Sequence, residues 1–355
     1  MPVTPRRPPA RGVSGRIEPV IIEFRSLLPL STMPLASPLT KRRPRIWLLA
    51  IVLGMGLAGN ALATHGNPQG KGPRVGVLVS DLRNPFFAYI ARAVESTLNQ
   101  EGRGAAQITV VSSGFDPQRQ DEQFKEMIRQ RVQLVIVTPV DSTSLHVRVA
   151  EARAAGIKVV AVDALVQGAD AAVVTDSRAA GKLACEHLVR TLGGKGEVGI
   201  IDGPPNTAAV GRVKGCREAL GAAPGVRVVP IALGGGATKD GGVEQMTRLL
   251  AHHPKLSGVF AINDLCGIGA EMAARVAGRR DLVITAMDGS PEVVQRLQDP
   301  ATLIAGSATQ SPTLMGQRAA EIGLKLLAGQ TPPQRVLLLP SKLVTRENVG
   351  GYDGW

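Results

Sequence analysis

The stretch Arg74-Val-Gly-Val-Leu-Val-Ser80-Asp-Leu-Arg-Asn84-Pro85-Phe86-Phe87 decides the fold. A run of aliphatic residues leads into an Asn-Pro step, and helical spacing follows to about residue 100. Asn is a favoured N-cap and Pro is accepted at the first helical position, so a strand passes straight into a helix. The same unit recurs along the chain. Strands are predicted over 74–80, 107–112, 133–138, 157–163 and 171–174, then over 197–201, 226–231, 257–262, 282–287 and 303–307. Helical spacing covers 86–100, 119–129, 143–155, 178–192, 208–220, 242–252, 266–277 and 313–327. Unalternating apolar runs such as 134–137 suit parallel strands covered on both faces. The fold class is therefore α/β, with two doubly wound parallel-sheet lobes, one on each side of about Thr175.

Upstream, Lys41-Arg-Arg-Pro-Arg45 precedes an apolar run from Ile46 to Gly59, and Asn60-Ala61-Leu62-Ala63 follows. A basic region, a short apolar stretch and an Ala-x-Ala site come in the order of an export signal. The run is too short to span a bilayer comfortably. Residues 1–63 thus read as an N-terminal extension and signal peptide with cleavage after Ala63, which places the remainder outside the cytoplasm. Translation from Met33 would leave a signal of ordinary length; an uncleaved anchor behind a cytoplasmic tail is the alternative.

The net charge of +12 suggests a nucleic-acid partner until it is located. Residues 1–63 contribute +7, and the remaining +5 comes from interspersed signs rather than a basic stripe, so no nucleic acid is expected. Of Cys185, Cys216 and Cys266, none lies in a Cys-x-x-Cys pair. Buried thiols are expected, with a disulfide as the alternative.

In doubly wound sheets, ligands bind beyond the carboxyl ends of the strands. Asn84, Asp163, Asn263-Asp264, Asp288 and Gln310 stand at those ends. Asn84-Pro85, Ser290-Pro291 and Ser311-Pro312 each place a capping residue ahead of a helix there. Carboxylates and amides gathered at one crevice suit a polyhydroxylated ligand, since each carboxylate accepts from adjacent hydroxyls and each amide both donates and accepts. Arg212 would add a planar donor fork. Phe86 and Phe87 point about 100° apart on a helix, so one can face the cleft and offer a flat surface to a sugar ring.

Val79-Ser-Asp-Leu-Arg-Asn84-Pro-Phe86-Phe87, Thr138-Pro-Val-Asp141, Val162-Asp163, Val259-Phe-Ala-Ile-Asn263-Asp264, Met287-Asp288-Gly-Ser-Pro291 and Thr309-Gln310-Ser-Pro312 together resemble the ribose-binding family of periplasmic solute-binding proteins. The likeness runs from about Pro73 to Arg346. It implies a periplasmic binding protein-like fold of type I, closing as a hinged trap. Three crossings are implied, near Thr175, 308–311 and 335–341. The N-terminal lobe would comprise 73–175 plus about 311–338, and the C-terminal lobe 176–310 plus about 339–350. The family's ligand contacts fall on Asn84, Phe86, Phe87, Asp163, Arg212, Asn263, Asp288 and Gln310. Two positions depart from the ribose pattern: Ala164 replaces an arginine, and Ala237 stands where an aromatic would face Phe87. Asp81 and Arg83 are candidates for different polar contacts, and Lys239 in the glycine-rich 234–242 is a candidate for holding an anion.

The resemblance implies a monomer without cofactor or metal that captures a small sugar or polyol and delivers it to an ABC importer permease. A sensing role through a chemoreceptor or sensor kinase is the alternative. An enzyme is disfavoured because His-Glu-x-x-His, Gly-x-Ser-x-Gly and Cys-x-x-Cys are all missing from the sequence. A transcription regulator would need a helix-turn-helix where the signal stands.

Overall fold

The structure is a computed structural model that describes residues 72–101, 105–230, 234 and 236–355. The export signal read from the sequence lies outside the described residues. The first half runs β1 (Arg74–Val79), α1 (Pro85–Glu101), β2 (Gln107–Ser112), α2 (Pro117–Arg129), β3 (Leu134–Val137), α3 (His146–Ala154), β4 (Lys158–Val162) and β5 (Ala171–Thr175). The second runs α4 (Ser177–Thr191), β6 (Lys195–Ile201), α5 (Thr207–Gly221), β7 (Gly225–Val228), α6 (Lys239–His252), β8 (Leu256–Ala261), α7 (Asp264–Val276), β9 (Val283–Asp288), α8 (Pro291–Gln298) and β10 (Ile304–Thr309). The chain then returns through α9 (Pro312–Leu327), β11 (Val336–Leu339) and β12 (Leu343–Thr345).

Two six-stranded sheets result, in the orders β11-β5-β4-β3-β1-β2 and β12-β10-β9-β8-β6-β7. Each repeats the doubly wound order, with its switch point beside the first strand. The pairings are parallel except that of β12 with β10. Strand β3 is buried along its whole length, as its unbroken apolar sequence requires. The chain crosses between lobes at 175–177, 309–312 and 339–343. Gln310 ties two of these crossings: its Oε1 accepts from the Thr175 hydroxyl at 2.9 Å and its backbone N–H donates to the Asp288 carbonyl.

Strand β11 lies where the sequence suggested only a crossing, and β12 follows it in a stretch read as part of the second lobe without a strand. Both stand at sheet edges; β11 exposes Val336 and Leu338, and β12 is only three residues long, too short for a periodic pattern to show. Ser290 caps α8 through its hydroxyl, whereas Ser311 makes no side-chain cap to α9.

The expectation of buried thiols holds only for Cys266. Cys185 on α4 and Cys216 on α5 form a disulfide, with their Cα atoms 5.0 Å apart. Sequence spacing could not reveal this, because the bridge depends on how closely two helices approach. That approach is set by glycine. A Cβ on Gly181 would overlap the Arg212 carbonyl, and one on Gly215 would overlap the Arg178 carbonyl. Gly221, at the end of α5, faces open space.

Gly215→Ala should therefore force α4 and α5 apart and cost about 1–3 kcal/mol of stability. Gly221→Ala should be neutral or slightly stabilising, because alanine is the better helix former. Urea unfolding of both variants checks this; equal midpoints would remove the close-approach argument.

Candidate functional site

Both lobes turn the carboxyl ends of their strands toward one gap, which holds a cavity of about 380 Å³ counted to its open mouth. All eight site residues named from the sequence line it: Asn84, Phe86, Phe87 and Asp163 from the first lobe, Arg212, Asn263 and Asp288 from the second, and Gln310 at the hinge.

Local backbone explains their aim. Asn84 accepts from the Phe86 N–H, so it caps α1 while its amide nitrogen keeps its donors for the cavity. The two rings meet edge to face at 5.3 Å. Asp163 sits in a tight turn in which the Ala164 N–H donates to the Val162 carbonyl, with φ 69°. That is the rarer, strained hand of a γ-turn. Among the described residues, five non-glycine residues have positive φ, and four of them line the cavity: Phe115, Asp163, Ala237 and Asp288. Such conformations cost of order 1–3 kcal/mol each and gather where geometry serves function.

Arg212 is the electrostatic centre. Its Nη1 donates to the Ile262 carbonyl at 2.9 Å and lies 3.5 Å from Asp288 Oδ1, while Nη2 is 3.8 Å from Asp163 Oδ1 across the gap. Arg212 Nε and Asp163 Oδ1 are buried without hydrogen-bond partners. Burial pushes the Asp163 carboxyl above its ordinary value, with Arg212 opposing. Burial likewise raises Asp288, against Arg212 and the Gln310 amide, which donates to it at 2.8 Å. Asn263 is more committed, since it caps α7 at the Cys266 N–H and donates to the Ala237 carbonyl.

Other candidates lie elsewhere. Asp81 and Arg83 pair with each other at 2.8 Å rather than entering the cavity. Lys239 begins α6, outside the cavity lining, and pairs with Glu292 at 3.1 Å. Asp264 turns inward beneath the site, accepting from the Ser290 N–H at 2.7 Å and the Ser307 hydroxyl at 2.6 Å.

Sequence reading missed Phe115 and Asn206. Phe115 packs against the apolar cores of both lobes and meets Phe87 edge to face at 5.8 Å. It supplies a third ring to a cavity that Ala237 leaves without one on the opposite wall. The signal was present, because Asp116-Pro117 and Asn206 are further strand-end caps of α2 and α5. The rule that found Asn84 finds their neighbourhoods too.

Asp264 has a carboxyl raised by burial and then by neighbouring Asp288. A carboxyl whose folded pKa is raised contributes stability that is complete below the ordinary value near pH 4 and is lost as pH climbs through the raised one. Asp264→Asn keeps an acceptor for Ser290 and a donor for Ser307 Oγ without the charge. Its melting temperature should fall less than the parent's between about pH 5 and pH 8. Parallel curves for the two proteins would show that Asp264 does not titrate there.

The chain matches the periplasmic binding protein domain family over residues 75–331. It is 30% identical to the D-ribose/D-allose-binding protein of Pseudomonas aeruginosa, over 80% of this chain and 92% of that one. It is 29% identical to the xylitol-binding protein of Mycolicibacterium smegmatis, over 84% of each. In fold it is similar to an ABC transporter solute binding protein from Bacillus halodurans with bound myo-inositol, at a TM-score of 0.74 and 23% identity, over 81% of this chain and 99% of the other. With its two doubly wound lobes and shared cleft, the chain belongs to the periplasmic binding protein family, as a relative of its ribose-binding members.

Proposed function

We propose that the protein captures a small, uncharged, polyhydroxylated solute, a monosaccharide or polyol, in this cleft and delivers it to the permease of an ABC importer. The observation that carries the reading is the pair of buried atoms without hydrogen-bond partners, Asp163 Oδ1 and Arg212 Nε, on two side chains from opposite lobes whose charged groups approach to 3.8 Å. A hydroxyl both donates and accepts, so a polyol can satisfy the two at once. Three phenyl rings from the first lobe line one side of the same cavity and offer it an apolar surface. Charge argues against an anionic solute. Two carboxylates and one guanidinium already stand in the cavity, and a further negative charge would meet both acids.

Binding to both lobes at once favours the closed form, because only that form brings the two sets of contacts together. The basic and apolar segments before Ala63 support an export route to the periplasm, where a permease would meet the loaded protein.

Isothermal titration with D-ribose, D-allose, xylitol and myo-inositol should give saturable heat for at least one of them. Asp163→Ala and Asp288→Ala should each weaken that binding by about 100-fold or more, since hydrogen bonds to charged groups contribute roughly 1.5–3 kcal/mol apiece and the buried Arg212 loses one of its two acids. No heat from any sugar or polyol would sink the proposal. Parental affinity in both variants would move the site elsewhere.

A further inference from the structure

Residues 352–355 lie against both lobes at the rim of the cleft. Tyr352 packs on the second lobe's core, and its hydroxyl donates to the Gly289 carbonyl at 2.9 Å. Gly354, at φ 89°, lets the chain turn tightly over Pro291. Trp355 then reaches across. Its indole N–H donates to the Asp288 carbonyl at 2.8 Å, while its ring meets Phe86 at 5.6 Å and Tyr89 at 5.7 Å, both edge to face on α1 of the first lobe. One rigid side chain thus touches two cavity-lining residues that belong to opposite lobes.

We infer that Trp355 is a positioning residue of the cleft and that residues 352–355 form a strap holding the lobes closed. The indole is a single rigid plate, so opening the hinge must break either its hydrogen bond to Asp288 or its packing on Phe86 and Tyr89. A contact made only in the closed form shifts the equilibrium toward that form by its own free energy. It also lessens the share of binding energy that a solute must spend on closing the lobes. The opposite lip is held differently. There the Leu165 N–H donates to Thr207 Oγ1 at 2.7 Å, and the Thr207 N–H donates to Ser142 Oγ at 2.9 Å. Those bonds are exposed, and water can replace them on opening at little cost. The indole buries ring surface that water cannot replace, so the strap is the stronger of the two restraints.

The inference rests on the proposed binding function only where a solute is added. Lobe separation can be read in the full chain from spin labels on Lys125→Cys in α2 and Arg248→Cys in α6, whose side chains are exposed on different lobes. Without solute, Trp355→Ala should move the distance distribution to longer values and lower the closed-to-open ratio by about tenfold, as expected for a lost aromatic contact and hydrogen bond. Trp355→Phe keeps a ring but no donor, and should fall between the variant and the parent. Far-UV circular dichroism accompanies each variant; if Trp355→Ala fails to fold, Trp355→Phe against the parent decides. Superimposable distributions would overturn the strap. Adding D-ribose, D-allose or xylitol separates the two claims: if Trp355→Ala opens the lobes and none of these solutes shifts it back toward the parent's distances, the ligand assignment fails and the strap stands.

Discussion

A guanidinium buried between two carboxylates that it only partly satisfies is the constraint on which the cleft depends. Arg212 is 6% exposed, and its partners Asp163 and Asp288 are 9% and 3% exposed. Removing such charges from water costs several kcal/mol per ion, and the cost is recovered only when geometry and hydrogen bonding are complete. Here they are incomplete. The contacts to the two acids are 3.5 and 3.8 Å, and buried polar atoms remain without partners. A site left in that condition favours a guest that brings both donors and acceptors, which is the chemical content of the proposed sugar or polyol ligand.

The rest of the fold holds that arrangement in place. Arg212 is carried by α5, whose distance from α4 is fixed by Gly181 and Gly215 and by the Cys185–Cys216 bridge. Gly181 approaches the backbone of Arg212 itself, so the helix pairing and the position of the guanidinium are one fact. Asp163 and Asp288 are aimed by left-handed backbone at the ends of β4 and β9, and Phe115 and Ala237 reach the cavity by the same means. Backbone strain of this kind persists only where surrounding structure enforces it. The enforcement is visible in the buried strands behind each turn and in Gln310, which bonds to both Thr175 and Asp288 at the hinge.

Strength is distributed unevenly between the lobes' mutual contacts. The hinge side carries buried hydrogen bonds, one lip carries exposed ones at Thr207, and the other carries the half-buried indole of Trp355. A clamshell with its restraints so placed can open about the hinge while losing few buried polar contacts. Domain closure of this type confines backbone change to a few crossing residues.

Much of the architecture was legible in the sequence. Unalternating apolar runs such as 134–137 suit parallel strands covered on both sides, and Asn-Pro or Ser-Pro steps after some of them mark helix starts at the strands' carboxyl ends. Because doubly wound sheets present ligands there, Asn84, Asp163, Asn263, Asp288 and Gln310 could be named from position, whereas Arg212, inside α5, leaned on the resemblance to the ribose-binding family. What the sequence could not supply was anything set by distances between elements remote along the chain. The Cys185–Cys216 bridge, the edge strands β11 and β12, the inward turn of Asp264, the pairing of Lys239 with Glu292, the entry of Phe115 and the reach of Trp355 across the cleft all belong to that class. Local periodicity and capping report which conformation each segment prefers. Which side chains then meet is decided by packing, and packing is a property of the whole folded chain.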